Sequence, residues 1–161
     1  MSGTDTGSTQ GKGRQGGLHL LAFEPEDLAV ISANLQDAIV RIADMAWIPG
    51  DRRFALVCQR FDWVAAESGR MERCESGLHF DAVRKVTLRG FELTRKNRVL
   101  NLLSITFEPG DPPEGTVLIT FSAGGAIQVE VDYIEAQMND LELRWKARKR
   151  PGHELGGVEP E

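Results

Sequence analysis

The chain has 161 residues, a length that one domain can hold, and 41% of them are apolar, enough for a core without disulfides or a structural metal. The formal charge is −5, yet residues 18–143 carry 12 Lys and Arg against 20 Asp and Glu. A folded part this acidic excludes a broad phosphate-binding face, no apolar run reaches the roughly 20 residues of a membrane span, and two cysteines make no disulfide framework. Nucleic acid and membrane are therefore not expected partners, and reduced thiols in a cytoplasm are the expected setting.

Residues 1–17 are Gly, Ser, Thr and Gln with almost no apolar side chain and no apolar segment of the kind a secretory signal needs. They bury too little to offset the entropy of ordering and are expected to be a disordered tail. Residues 147–161 are expected to be a second flexible tail, which leaves one α+β domain over residues 18–146. The first element is a short helix, because Pro25 suits a first helical turn, Glu24, Glu26 and Asp27 favour its positive end, and Leu28, Ile31 and Leu35 share one face. Residues 39–47 and 53–61 follow as a hairpin about Pro49-Gly50-Asp51, with Phe54, Leu56 and Cys58 on one face and Arg41 breaking the apolar pattern of the first strand. Residues 62–77 are polar and are expected to form a long loop with at most a frayed strand. Residues 78–88 alternate as a half-solvated strand interrupted by Arg84, residues 99–107 make another, and Glu108-Pro-Gly-Asp-Pro-Pro-Glu-Gly115 is a surface loop.

Val117, Ile119 and Phe121 pair naturally with Ile127, Val129 and Val131 across the Gly124-Gly125 turn. The period then changes. Asp132 and Glu135 resemble a capped helix start, and Ile134, Met138, Leu141 and Trp145 fall on one helical stripe. The expected fold is an antiparallel, strongly bent sheet or barrel of six to seven strands, resembling the pleckstrin-homology type, with a short N-terminal helix and a C-terminal amphipathic helix. A flatter sheet with both helices on one face is the alternative. Such fold analogy carries no function.

Leu18-His-Leu-Leu-Ala-Phe-Glu-Pro-Glu-Asp-Leu28, Asp37-Ala-Ile-Val-Arg41, Arg53-Phe-Ala-Leu56 and Val131-Asp-Tyr-Ile-Glu-Ala136 together resemble an uncharacterised family of small, mainly alphaproteobacterial proteins, classed as a domain of unknown function. The resemblance spans about residues 18–146. It implies a bacterial cytoplasmic protein and supplies no activity, ligand or site residue.

Chemistry-bearing groups are sparse. His79 and Asp81 lie two apart with Cys74 five residues before His79, but the spaced Cys/His pairs of a zinc site are missing. Cys58 reads as a small buried hydrophobe, whereas Cys74 falls in the polar loop, where Arg73 favours a thiolate and Glu72 and Glu75 oppose it. The Gly-rich run from Gly11 to Gly17 lacks the strand, helix and ending of a phosphate loop. The carboxylate pairs Asp111/Glu114 and Glu130/Asp132 read as solubilising charge. No catalytic residue, metal or cofactor is assigned. Arg41 and Arg84 each break an apolar face, so either could form an internal ion pair, with Asp44 or Glu130 as partner. Together with His79 and Asp81 they are the candidate pocket. Trp47, Ile48 and Trp63, with Val64, are a candidate interaction surface for a protein partner or a second copy. Arg144, Lys146, Arg148, Lys149 and Arg150 form a basic run after the expected helix.

The leading expectation is a non-catalytic binding or assembly module. The alternative is a small enzyme or ligand carrier with a polar pocket in the barrel or beneath the last helix. A third reading has the basic run bind nucleic acid.

Overall fold

A computed structural model describes residues 17–148 and Pro151. The expected tail of residues 1–17, apart from Gly17, lies outside the described residues, as do His153, Lys149 and Arg150. Nine strands form one antiparallel sheet: β1 (His19–Ala22), β2 (Ile39–Ile48), β3 (Arg53–Phe61), β4 (Glu72–Phe80), β5 (Val83–Arg89), β6 (Val99–Pro109), β7 (Gly115–Phe121), β8 (Ala126–Val131) and β9 (Ala136–Lys146). Two α-helices accompany them, α1 (Pro25–Asn34) and α2 (Trp63–Glu67). The strand order is β1-β9-β4-β3-β2-β6-β7-β8-β5.

The first helix follows from its local chemistry. Pro25 opens it, the Asp27 carboxylate accepts the amides of Phe23 and Glu24, and Leu28, Ile31 and Leu35 are buried. Ser32 fixes its seat, since its hydroxyl accepts the Ile105 amide of β6 at 2.9 Å.

The sheet bends where β2 meets β6, through only three residue pairs, Ile39 with Asn101, Val40 with Leu100 and Arg41 with Val99. One half holds β1, β9, β4, β3 and β2, and the other holds β6, β7, β8 and β5. Their inner faces share one core that includes Phe54, Leu56, Phe80, Ile105, Ile119, Phe121, Val129 and Met138. The chain crosses between the halves twice, from β4 to β5 and from β8 to β9. The crossings are bonded to each other, Asp132 N to Ala82 O and Asp81 N to Glu135 O. Arg52 ties both to the β2–β3 turn, because its carbonyl accepts the Val83 amide and its guanidinium holds the Asp132 carboxylate.

Several expectations are corrected. The sheet has nine strands and ends on β1 and β5, which do not pair with each other, so it is open rather than a six-to-seven-stranded barrel of the pleckstrin-homology type. The C-terminal amphipathic helix does not form, and its residues are β9. Ala136 and Met138 face the core, Gln137 and Asn139 face outward, and cross-strand pairing with β1 and β4 overrides the helix-favouring composition. The expected loop of residues 62–77 holds α2 and two thirds of β4. The supposed single strand of residues 78–88 is broken at Ala82, whose φ of 57° ends β4 and lets β5 join the other half.

Met138 is fully buried between β1 and β4. Met138→Ala should lower the free energy of unfolding by about 2–5 kcal/mol, read by urea denaturation. A helix docked loosely on the sheet would respond with much less.

Candidate functional site

The inner face changes character along β3, β4 and β9. At one end lie Phe54, Phe80 and Ala136. Following the same alternation to the other end, the row becomes Cys58, Ser76 and Asp140, then Arg60, Cys74 and Arg144. The side chains of Arg60 and Asp140 are each only 2% exposed, and they form a two-pronged pair, Nε to Oδ1 at 2.8 Å and Nη2 to Oδ2 at 2.7 Å. The Ser76 hydroxyl donates to Asp140 Oδ1 at 2.6 Å, and the Leu18 amide donates to Oδ2 at 2.9 Å. Arg60 Nη1 reaches the Phe61 carbonyl. Gly17, at φ 73°, lies against this carboxylate so closely that a Cβ would sit 2.8 Å from Asp140 Cβ. Only glycine allows that approach.

The network continues outward. β9 bulges between Asp140 and Arg144, which draws Arg144 back opposite Cys74 and within 3.9 Å of Asp140. Arg144 Nη1 donates to Asp62 Oδ2 at 2.8 Å and to Glu72 Oε1 at 2.9 Å. Asp62 also caps α2 by accepting the Ala65 amide at 2.9 Å. Burial alone would raise the Asp140 carboxyl, but Arg60, the Leu18 amide and Ser76 outweigh it and hold the group below the usual carboxylate range. Asp62 is likewise lowered against its burial, by the Ala65 amide and Arg144. Burial pushes the thiols up, Cys58 to about 12 and Cys74 to about 11, so both stay protonated and unreactive at neutral pH.

Above this network Arg144 emerges into an open groove of about 730 Å³ lined by Gly69, Arg70, Met71, Glu72, Arg144, Trp145, Lys146 and Ala147. Arg70, Arg144 and Lys146 line it with Glu72, which pairs with both Arg144 and, at 3.4 Å, Arg70, beside Met71 and Trp145. A smaller hollow of about 210 Å³ shares Trp145, Lys146 and Ala147 and adds Arg73 and Arg148. A small second core closes this end of the sheet, where Phe61, Ala66 and Ala147 pack with Trp63 and Met71. The arrangement offers positive charge and an aromatic edge beside the Glu72 carboxylate.

The residues proposed from sequence fall elsewhere. Arg41 and Arg84 are both exposed, and each lies in a bulge. Arg41 sits where β2 carries three residues more than β3, 4.0 Å from Asp44, and lines a hollow of about 200 Å³ with Gln59 and Glu75. Arg84 is the extra residue of β5 and pairs with Glu114 and Asp132. Neither forms the internal ion pair. His79 and Asp81 do meet, at 3.4 Å, and Arg53 also holds Asp81 at 2.7 Å, but the hollow at Arg41 includes neither. Cys74 is buried on β4 and not in an exposed loop, and alternation puts it on the opposite face from His79. Among the described residues no group of three or more His, Cys, Asp and Glu is placed to hold a metal. Trp47 packs on the main core and Trp63 on the second, at opposite ends of β3, while Ile48 is exposed beside Trp47. They form no single patch. Of the basic run, Arg144 is committed to Asp62 and Glu72 rather than following a helix.

Arg60 could have been found, because it continues the Phe54, Leu56, Cys58 face by one more alternation. Asp140 carried no such signal once its segment was read as a helix.

Structure and site together describe a sheet-dominated protein with an ion pair sealed in one end and a cationic groove above it. No helix among the described residues is long and apolar enough to cross a membrane. The chain belongs to the family described as protein of unknown function (DUF2948), whose profile matches residues 18–153. No curated protein and no solved structure matches it.

Two outcomes are expected for the buried pair. Arg60→Met and Asp140→Leu should each cost about 3–5 kcal/mol, because each leaves a buried charge alone, whereas the double variant should recover at least half of the summed loss. Urea denaturation of all four proteins measures this. The second concerns acid. Lowered carboxyls contribute stability that is complete above their unfolded value, about 4, and lost as pH falls through the folded value. The thermal midpoint should hold level from pH 7 to about 5 and fall below about 4, with a shallower acid loss in Asp140→Asn.

Proposed function

We propose that this chain is a non-catalytic binding module of a bacterial cytoplasm, and that its groove between the start of β4 and the end of β9 captures an anionic group on a partner macromolecule. The observation that carries the reading is the concentration of Arg70, Arg144 and Lys146 around one opening in a chain whose residues 18–143 are otherwise strongly acidic. Against an acidic body, such a cluster gives an incoming anion a preferred place and an orientation of approach. Arg144 is already held by Asp62 and Glu72, so little ordering remains to be done on binding. Two buried, unpaired cysteines fit a reducing compartment.

Fluorescence anisotropy with a labelled oligoglutamate peptide tests this. The full chain should bind it, with affinity falling as salt rises. Lys146→Glu combined with Arg70→Glu should weaken binding at least about tenfold without lowering the thermal midpoint, since both side chains are exposed. Equal binding by the variant, or equal binding of an oligolysine peptide, would remove the groove as the site.

A further inference from the structure

We propose that the edge of β5 is a second docking surface, separate from the groove, which takes an extended segment of a partner protein with alternating acidic and apolar residues as an added strand. Charge singles out this part of the chain. Residues 83–98 hold half of the 12 Lys and Arg found between residues 18 and 143, but only one of the 20 Asp and Glu. β5 is also the last strand in the sheet order, and among the described residues it pairs with β8 alone.

Register fixes which way its backbone groups point. The Phe121 amide donates to the Gly125 carbonyl at 2.8 Å across the β7–β8 turn. Along that ladder in steps of two, Ile127, Val129 and Val131 turn their amides and carbonyls toward β7, while Ala126, Gln128 and Glu130 turn theirs toward β5. Lys85, Thr87 and Arg89, which stand opposite Glu130, Gln128 and Ala126, therefore bond to β8. Val86 and Leu88, opposite Val129 and Ile127, point theirs off the sheet. Arg52 shows that this side accepts pairing. Its carbonyl takes the Val83 amide at 3.0 Å, and its Nε donates to the Val83 carbonyl at 3.4 Å. Arg52 thus stands where the first residue of an added strand would, and the next outward positions are Val86 and Leu88.

Side chains select the chemistry of the strand. Lys85, Thr87 and Arg89 share the outer face, and Val86 and Leu88 are half-buried against the core on the inner face. Arg84 is already paired with Glu114 and Asp132. Lys85 and Arg89 are exposed and form no ion pair among the described residues, although Lys85 stands opposite Glu130. Arg98 adds a third charge at this end, because its Nη1 donates to the Gly90 carbonyl at 3.2 Å. A lysine on an edge strand ordinarily deters pairing with another chain. A strand with Glu or Asp facing Lys85 and Arg89, and apolar residues beside Val86 and Leu88, turns that deterrent into selection, since opposite charges on neighbouring strands attract. Residues 1–16 do not fit this pattern: they carry Lys12 and Arg14 against Asp5, with no apolar residue after Met1.

Hydrogen exchange and fluorescence anisotropy on the full chain test this, with a labelled peptide alternating Glu and Val. A second peptide has the same sequence N-methylated at every Val, which keeps charge and side chains but removes the strand hydrogen bonds. In the free chain the Val86 and Leu88 amides should exchange fast while those of Lys85 and Thr87 are protected. The unmodified peptide should slow Val86 and Leu88, and should bind at least about tenfold more tightly than the methylated one. Lys85→Gln combined with Arg89→Gln should weaken it at least about threefold. Lys146→Glu combined with Arg70→Glu should leave the protection of Val86 and Leu88 intact, which separates a failure of this edge from a failure of the groove. Slow exchange at Val86 and Leu88 in the free chain would show that its own ends or a second copy already cover the edge, and the proposal would fall. Equal binding of the two peptides, or a bound peptide that leaves both amides unprotected, would overturn it as well.

Discussion

Arg60 and Asp140 lie 80 residues apart in sequence, yet each is nearly sealed from water. Burying one without the other would leave an uncompensated charge, which costs several kcal/mol. The pair therefore works as a condition on the whole first half of the sheet: β9 must lie beside β4 in the register that sets Asp140 opposite Ser76. Arg60 comes in from β3 through the pairing of Arg60 with Cys74. β1 is drawn into the same constraint, since the Leu18 amide bonds the carboxylate and Gly17 closes over it. A slip of one residue in β9 would turn Asp140 to the solvent face and strand Arg60.

The two ends of the sheet are thus held by different physics. At the end with the crossings, Arg52 joins three separate turns while the surrounding core is apolar, from Phe54 and Phe80 to Val83 and Val131. Shape and area hold that end, and neither is particular about partner atoms. At the far end the inner face is ionic, and stability there requires geometry rather than area. This division explains why the groove forms where it does. An apolar core can be covered by α1 or by the opposite half of the sheet, but a chain of charges that starts in the interior must run out to water through Arg144, and the place where it surfaces is left open.

Much of the second half of the sheet was legible in sequence, because β7 and β8 alternate cleanly about their turn and α1 carries its capping chemistry on its face. Arg41 and Arg84 interrupt apolar faces in the sequence, and each marks a bulge that takes the side chain out of alternation and back to water. A bulge also underlies the helical spacing in β9: two extra residues between Asp140 and Arg144 leave Leu141 exposed, and Met138, Leu141 and Trp145 fall at helical spacing although the strand continues. Cys74 and Ser76 looked like loop residues because their segment is polar, and that polarity is what a strand lining a buried ion pair requires. Local pattern could not show this, as the partner that justifies it is distant in the chain.

The ionic end also orders the groove's cations by freedom. Arg144 is fixed by Asp62 and Glu72, with its guanidinium raised despite burial by the hydrogen bond to Asp62. Lys146 and Arg148 are exposed. A ligand carboxylate would then meet one rigid donor and several adaptable ones, a combination that fixes position through the first and tolerates variation through the rest. Glu72 tempers the site, because it already neutralises part of the charge of Arg144 and an incoming anion must share that donor. Affinity from charge alone is therefore modest, and a partner needs a further source of binding energy.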